Sequence, residues 1–298
     1  MTSSDDHQRM REPALSLGTA TFGSDYGIAN HGKGTTSSDV KQILNEASEL
    51  NISHLDTASS YGRAEQLIGQ FWPKGRPLKI TTKVSPDDCK TASSIFSAVQ
   101  KSLAATQAVE FWSVLLHDPT ELLGGNGSEI RNGLLQVLDA GLATRIGISA
   151  YSEREVELAK DYMPELTVFQ IPENLCDRRK YHSTNLGEMS QQGDQFFVRS
   201  VFLQGLLLMN PKEVPWEVRD AVGVLKILND FCLERSISVL DLCLGYAKSI
   251  PWASGVVVGV ASVEQLRKFN SSFHSTAYEE FSEVPVLGDW LIDPRNWS

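Results

Sequence analysis

Short apolar runs alternate with longer amphipathic stretches over most of this chain. Runs such as SVLL and GVVVG are apolar at every position, which is typical of parallel strands buried on both faces. We therefore interpret the apolar runs as eight strands. The predicted strands are Leu15–Gly18, Ile52–Asp56, Leu78–Lys83, Phe111–His117, Thr144–Ser149, Leu166–Gln170, Gln195–Ser200 and Gly255–Gly259.

The stretches between the strands carry apolar residues at helical spacing. In Asp39–Leu50 these residues recur every three or four positions and share one face. Gly141 and Pro164 fall where two predicted helices end, since both residue types terminate helices. The predicted helices are Asp39–Leu50, Ser93–Ala105, Glu129–Asp139 and Glu153–Lys160, followed after a proline-containing turn (Asn210–Trp216) by Val218–Glu234 and Val239–Lys248.

Eight strands alternating with helices predict a parallel sheet with right-handed crossovers, and eight is the number of strands that closes a barrel. The expected fold class is α/β, a (β/α)8 TIM barrel. A flexible polar lead at residues 1–13 precedes a single barrel domain at 14–298. A doubly wound sheet is the competing fold, but the first strand ends in GTATFG, which lacks the GxGxxG spacing of a dinucleotide-binding turn.

The balance of charge argues against two classes of partner. The formal net charge is -10, and an acidic protein repels both phosphate backbones and anionic lipid. We therefore expect no nucleic acid and no membrane surface as a partner. The polar N-terminus lacks the apolar core of a signal peptide and no run of about 18 apolar residues occurs, so the expected location is cytoplasmic.

The cysteine and histidine patterns predict no metal site. Cys89, Cys176, Cys232 and Cys243 form no CxxC pair, which favours reduced, buried thiols. The six histidines are scattered and no HExxH motif occurs, so we expect no bound metal.

Four polar residues follow three successive predicted strands, at the ends where barrel enzymes carry their catalytic side chains. The second strand ends in HLDTASSYG, which supplies Asp56 and, in the following loop, Tyr61. The third ends in ITTKVS with Lys83, and the fourth ends in LLHDP with His117. Taken singly, each residue has a common structural explanation, such as a cap, a packed ring or a solvated amine.

Taken together, the four side chains are suited to acid–base chemistry on a carbonyl group. Apolar neighbours bury Lys83, whose charge then needs a partner, and Asp56 on the adjacent strand can supply it. A cation beside a phenol favours its ionised form, which makes Tyr61 a candidate general acid. His117 can hydrogen-bond a carbonyl oxygen and hold it in place.

This order of motifs resembles the aldo-keto reductase superfamily. The resemblance runs from LGTATFG at 17–23 to GVASVEQL at 259–266, and the opening GTATFGSDYGIAN is similar to that of a bacterial-type branch. The family has a (β/α)8 barrel and a catalytic tetrad, which here falls on Asp56, Tyr61, Lys83 and His117. The resemblance implies NAD(P)H-dependent reduction of an aldehyde or ketone to an alcohol.

The resemblance also implies a nicotinamide cofactor lying across the mouth of the barrel. The chain departs from the family at three positions: Ala150 replaces an Asn that holds the carboxamide, Arg199 stands where an aromatic ring often stacks on the nicotinamide, and Phe269 replaces an Asn near the adenosine. The implied cofactor-binding residues are Gly18, Thr19, Asp56, Ser149, Gln170, Arg199, Ser200, Val201, Phe202, Gln204, Gly205, Gly259, Ser262 and Gln265.

The choice between the two nicotinamide cofactors is left open by these motifs. Members of the family that are specific for NADPH often carry Lys or Arg near the adenosine, where this chain has Gly259 and Gln265. Ser262 can still hydrogen-bond, and Arg267 or Lys268 is near enough in sequence to reach a phosphate. We expect NADPH, with NADH as the alternative.

The substrate is less well defined than the reaction. The expected partner is a small carbonyl compound, with a sugar-derived ketone or hydroxyaldehyde suggested by the branch, and the protein is expected to be a monomer or small homo-oligomer. The glycine-rich SDYGIANHGKG after the first strand is a candidate part of the mouth. The candidate pocket aromatics are Phe22, Tyr26, Trp72, Trp112 and Tyr151.

Two other functions remain open at this point. A non-catalytic, cofactor-sensing regulatory subunit of the same fold can retain the tetrad, and slow turnover with very slow cofactor release would favour it. A barrel glycoside hydrolase needs two facing carboxylates. The strand ends offer Asp56 and, as a poorer second candidate, Glu173 for that pair, but Lys83 would then be unexplained.

Overall fold

The computed structural model describes residues 12–23, 35–275 and 281–297. Three features considered in the sequence lie outside these ranges: residues 1–11 of the N-terminal lead, the glycine-rich loop after the first strand, and Tyr26 within that loop.

The eight predicted strands are present and form one closed parallel barrel, with strands paired in chain order. The first strand closes the barrel by pairing with both the second and the eighth. The predicted (β/α)8 barrel is therefore confirmed, as a single domain. The strands are β1 (Ala14–Gly18), β2 (His54–Asp56), β3 (Lys79–Val84), β4 (Ser113–Leu116), β5 (Ile146–Ser149), β6 (Val168–Pro172), β7 (Gln195–Arg199) and β8 (Gly255–Gly259).

Helices alternate with the strands and pack against one another around the barrel, so that the last long helix, α10, returns to contact α1. The helices are α1 (Ser37–Glu49), α2 (Ala64–Phe71), α3 (Ala92–Thr106), α4 (Thr120–Leu123), α5 (Gly127–Asp139), α6 (Glu153–Tyr162), α7 (Thr184–Gln191), α8 (Val222–Glu234), α9 (Val239–Ser249), α10 (Val263–Ser275) and α11 (Asp289–Ile292).

Local sequence accounts for where α1 begins and which face it buries. Thr36 and Asp39 form a capping box, each side chain accepting from the other residue's backbone N–H, which satisfies amide groups that lack helical partners. The apolar face predicted from the spacing is buried, since Val40, Ile43 and Leu44 have no exposed surface. Capping and amphipathic spacing thus agree at this helix.

Several predicted boundaries were wrong by a few residues. The predicted strand Phe111–His117 is shortened to β4, because Phe111 forms only an isolated bridge to Ala143. The predicted helix Val218–Glu234 begins at Val222, since Trp216–Ala221 is a 3₁₀ segment with non-helical angles at Val218. The predicted strand Leu166–Gln170 is shifted two residues towards the C-terminus. Backbone pairing across the barrel, rather than apolar character, sets the limits of the two strands.

Five helices were not predicted from the periodicity: α2, α4, α7, α10 and α11. The sequence of α7, TNLGEMSQ, buries only Leu186 and Met189. Two apolar positions are too few for a recognisable helical pattern. Helices α2, α4 and α11 are short, with four to eight residues each, so they span at most about two turns.

The inside of the barrel is packed by a cluster of Leu115, Val168 and Phe197, with Trp112 against it. The C-terminal strand ends carry polar side chains, as the tetrad residues show, and this end of the barrel is open. No helix in the described part of the chain is long and apolar enough to cross a membrane.

Candidate active site

A cavity of about 710 Å³ lies at the C-terminal ends of the strands. Residues from β1, β2, β3, β5, β7 and β8 line it, together with loop residues and the C-terminal segment around Pro294. All four predicted tetrad residues are among them: Asp56, Tyr61, Lys83 and His117. The parallel barrel brings them together because it gathers every C-terminal strand end at one rim.

Lys83 and Asp56 form a buried ion pair on adjacent strands. The Lys83 Nζ lies 2.8 Å from each carboxylate oxygen of Asp56 and also donates to the Thr57 carbonyl at 3.2 Å. The side chains of Lys83 and Asp56 are only 2% and 7% exposed. Burial by itself lowers the pKa of Lys83, but the nearby Asp56 and Tyr61 outweigh it and raise that pKa above its usual value. Lys83 is therefore a permanent cation.

Tyr61 lies against this cation. Its hydroxyl is 3.5 Å from the Lys83 Nζ, which also lies 5.2 Å from the centre of the ring. A turn holds the residue in place, with the Tyr61 amide donating to the Ala58 carbonyl at 3.0 Å. Gly62 follows with φ of 58°, a conformation that favours glycine. The loop therefore fixes the phenol beside the amine.

His117 completes the group, directly after β4. Its ring meets the Tyr61 ring edge-on at 5.8 Å between centroids, and its Nδ1 lies 3.2 Å from the Ser60 Oγ. Burial, followed by the positive charge of Lys83, lowers the pKa of His117 to about 4. The imidazole is thus neutral at physiological pH. Sequence reasoning missed Ser60, because no pattern marks a loop serine as a partner of a distant ring.

Most of the residues implied in cofactor binding also line the cavity. Two do not: Gln170 lies behind Asp56 and donates to its Oδ1, and Ser262 caps α10 by accepting from the Gln265 amide at 3.1 Å. The lining residues from the implied set are Gly18, Thr19, Asp56, Ser149, Arg199, Ser200, Val201, Phe202, Gln204, Gly205, Gly259 and Gln265.

The segment after β7 has an unusual backbone that shapes one wall of the cavity. Ser200, Leu203, Gln204 and Gly205 all have positive φ, between 49° and 92°. Consecutive left-handed residues turn the chain sharply. The segment therefore curls along the cavity, and its residues contribute backbone as well as side chains to the wall.

Arg199 and Arg295 both lie on the ring of Tyr151 at the cavity wall. Their guanidinium carbons are 4.3 Å and 3.5 Å from the ring centroid. Arg199 donates to the Ala150 carbonyl at 3.1 Å, whereas Arg295 forms an ion pair with Asp293 at 2.6 Å. Sequence reasoning missed Arg295, which comes from the C-terminal segment and reaches the cavity only through the closed fold.

The other candidate pocket aromatics lie elsewhere in the described structure. Phe22 is buried in the core and Trp72 packs at the edge of the same core. Trp112 packs inside the barrel against Phe197, with ring centroids 5.4 Å apart. Of the described candidates, Tyr151 alone lines the cavity.

Glu173, the proposed second carboxylate of a hydrolase, does not line the cavity. It is fully buried, accepts from the Tyr246 hydroxyl at 2.7 Å and lies 3.2 Å from the Lys180 Nζ. Burial raises its pKa to about 7. The facing pair of Asp56 and Glu173 that a glycosidase would require is therefore not formed.

Comparison with known protein families agrees with the fold and with the family resemblance seen in the sequence. The model of the aldo/keto reductase family matches residues 14–284. The chain belongs to the aldo/keto reductase family. As a member, it is an NAD(P)-dependent oxidoreductase whose family acts on carbonyl compounds.

Curated relatives of this aldo/keto reductase extend over most of both chains. L-glyceraldehyde 3-phosphate reductase of Escherichia coli (strain K12) is 24% identical over 301 residues, covering 87% of this chain and 83% of the relative. The uncharacterized oxidoreductase YqkF of Bacillus subtilis (strain 168) is 26% identical over 278 residues, covering 85% and 88%.

Solved structures share the fold. Aldo-keto reductase AKR11C1 from Bacillus halodurans, in its holo form, gives a TM-score of 0.72 at 20% identity, covering 92% of this chain and 94% of that one. The thermostable aldo-keto reductase Tm1743 gives 0.68 at 22% identity, covering 91% and 92%. At this level of identity the likeness concerns the fold alone.

Proposed function

We propose that this aldo/keto reductase reduces a small aldehyde or ketone to an alcohol, with Tyr61 as the general acid. The observation that carries the proposal is the position of Lys83, whose Nζ is held by Asp56 at 2.8 Å and lies 3.5 Å from the Tyr61 hydroxyl inside the cavity. A permanent cation beside a phenol stabilises the phenolate that forms when the proton leaves.

The residues present fit a nicotinamide cofactor. Gln170 has a buried Oε1 without a hydrogen-bond partner, and a buried acceptor of this kind is satisfied by an amide N–H such as a carboxamide supplies. Ser149, on the neighbouring strand, lines the cavity beside it. We assign Ser149, on the cavity wall, to the carboxamide, with the unpartnered Oε1 of Gln170 behind that wall as a second acceptor, and the segment Ser200–Gly205 to the pyrophosphate. When bound, the reduced nicotinamide supplies the hydride for the carbonyl carbon.

Residues of the chain supply the proton that the carbonyl oxygen receives. Tyr61 gives its hydroxyl proton to the carbonyl oxygen as that oxygen gains negative charge. Lys83 stabilises the resulting phenolate, and Asp56 keeps the amine in position. The phenol recovers its proton from solvent through the open mouth of the cavity. No metal is required for this proton transfer.

His117 orients the substrate rather than transferring a proton. With a pKa of about 4, it is neutral at physiological pH. In the tautomer whose Nδ1 accepts from Ser60, the Nε2 carries the proton and can donate to the carbonyl oxygen. This fixes the oxygen near Tyr61.

The substrate we propose is a small polar carbonyl compound, such as a hydroxyaldehyde or keto-sugar. Arg199, Tyr151 and Arg295 present hydrogen-bond donors and an aromatic face at the cavity wall, and guanidinium groups bind hydroxyl and anionic oxygens well. The name of the Escherichia coli relative, a reductase of L-glyceraldehyde 3-phosphate, supports the same class.

The test is the Tyr61→Phe variant, with Tyr162→Phe as the matched control because Tyr162 is 45% exposed and lies outside the cavity. We expect Tyr61→Phe to bind NAD(P)H normally and to lose about 10²- to 10⁴-fold in turnover of a carbonyl panel. Full activity of the Tyr61→Phe variant would contradict the role of Tyr61 as the general acid. Turnover limited by very slow cofactor release in the unaltered protein would favour the regulatory-subunit alternative.

A further inference from the structure

The cationic side chains that line the cavity lie at one of its two ends. The cationic residues that line it are Lys83, Arg199 and Arg295. Lys83 pairs with Asp56, and the two arginines meet on Tyr151. These cations therefore belong to the end where the carbonyl is reduced.

The opposite end is built from two chain segments. Gly259 at the end of β8 and Gln265 in the first turn of α10 belong to one segment, and the segment after β7 contributes Met209, Asn210 and Glu213. The Phe202 and Phe269 rings join the two segments, with centroids 5.0 Å apart. Since the proposed function places the nicotinamide beside Tyr61, this end is left for the adenosine half of the cofactor.

Among the described residues that line this end, none is a lysine or arginine and one, Glu213, is a carboxylate. Arg267 on α10 donates two hydrogen bonds of 2.7 Å to the carboxylate of Glu46 on α1. Lys212 and Lys226 line a separate depression, on the other side of Leu208–Asn210. These three cations, and Lys268 on α10 as well, are therefore not among the residues that line the cavity.

The backbone around Glu213 is fixed by a short turn. The Glu213 amide donates to the Asn210 carbonyl at 2.9 Å, and the Asn210 side chain accepts from the Lys212 amide at 3.0 Å. This turn presents Glu213 to the cavity and Lys212 to the neighbouring depression.

We infer that this pocket selects NADH over NADPH, and that Glu213 is the specificity-determining residue. A carboxylate accepts hydrogen bonds from the two hydroxyls of an unphosphorylated ribose, as acidic residues do in other dinucleotide sites. The same carboxylate repels a 2′-phosphate, and none of the described residues that line this end of the cavity is a cation that could offset the phosphate charge. The inference rests on the proposed function and reverses the preference expected from the sequence.

The test measures binding rather than turnover. The full-length protein is titrated separately with NADH and with NADPH, following tryptophan fluorescence and, in parallel, heat of binding. We expect NADH to bind on the order of tenfold to a hundredfold more tightly, the range for a hydrogen bond to a charged group. Raising the salt concentration should bring the two dissociation constants closer together, because salt screens the repulsion between Glu213 and the 2′-phosphate.

Three variants test whether Glu213 causes the difference in affinity between NADH and NADPH. Glu213→Gln keeps the shape without the charge, and should bring the two dissociation constants to within about threefold. Gln265→Arg adds a cation at the lining and should tighten NADPH. Glu217→Gln is the matched control, because Glu217 lies on the same segment outside the cavity and should leave both constants unchanged.

The outcomes separate this inference from the proposed function. Tighter binding of NADPH than of NADH by the unaltered protein would overturn the inference while leaving the reductase assignment standing. An unchanged ratio in Glu213→Gln would overturn the role of Glu213. Failure of both cofactors to bind would overturn the proposed function itself, and with it the inference.

Discussion

The Nζ of Lys83 lies 2.8 Å from both carboxylate oxygens of Asp56, and the pair is almost completely buried. Two buried charges of opposite sign are mutually dependent, because removal of one leaves the other uncompensated in a medium of low polarity. The contribution of this pair to the free energy of unfolding can be measured separately from its effect on carbonyl reduction at Tyr61.

We predict that Asp56→Asn and Lys83→Met each destabilise the fold by about 3–5 kcal/mol, as breaking a buried pair does. The double variant should be less destabilised than the sum of the single changes, since it buries no unpaired charge. Urea unfolding checks the stability. All three variants should lose carbonyl reduction, because each lacks the intact ion pair. A fully additive double variant would mean that the two charges do not interact.

His117 should contribute no ionisation near pH 6.5 to the rate profile. Burial and Lys83 lower its pKa to about 4, so it stays neutral through the physiological range. We predict that its ring resonances in the folded protein titrate near pH 4 in NMR, with His117→Gln identifying the signal. A titration near 6.5 would contradict the neutral-donor role.

The same depressed pKa predicts how stability depends on pH. The folded state binds fewer protons than the unfolded chain between pH 4 and 6.5, so the free energy of unfolding should rise with pH in this window through His117. His117→Gln should show a smaller rise in urea unfolding at a series of pH values. An identical slope in both proteins would mean that His117 is not buried as described.

Glu173 is expected to act in the opposite direction. Burial raises its pKa from 4.5 to about 7, so the folded state binds more protons than the unfolded chain between those values. Its contribution to the free energy of unfolding should therefore fall as pH rises from about 4.5 to about 7. Glu173→Gln should remove this fall, measured by thermal or urea unfolding. Activity should be retained in the variant if it folds, since Glu173 does not line the cavity.

Gly147 tests the packing of the barrel itself. A Cβ at this position on β5 would overlap the Val168 carbonyl on β6. Gly147→Ala should therefore destabilise the protein by about 1–3 kcal/mol or more. The matched control is Gly187→Ala in α7, where nothing lies within 4 Å of the added carbon. That variant should gain up to about 1 kcal/mol. Equal stabilities of the two variants would contradict the close approach of β5 and β6.

The position of the strand-end residues could be predicted from the sequence because parallel barrels follow one simple rule. In a parallel barrel every strand ends at the same rim, so Asp56, Lys83 and His117 had to approach one another once eight strands were recognised. Glu173 shows the limit of that rule. Side chains alternate between the two faces of a strand, and Glu173, three positions after Gln170, lies among Tyr246 and Lys180 instead of in the cavity.

The sequence by itself determined the barrel and the strand-end residues that meet in one cavity, because these depend on periodicity and on short motifs. Only the tertiary structure decided which distant residues share the cavity. Ser60 reaches His117 across 57 positions, and Arg295 meets Tyr151 from the far end of the chain. Such contacts depend on barrel closure and loop conformation, and no local pattern of residues encodes them.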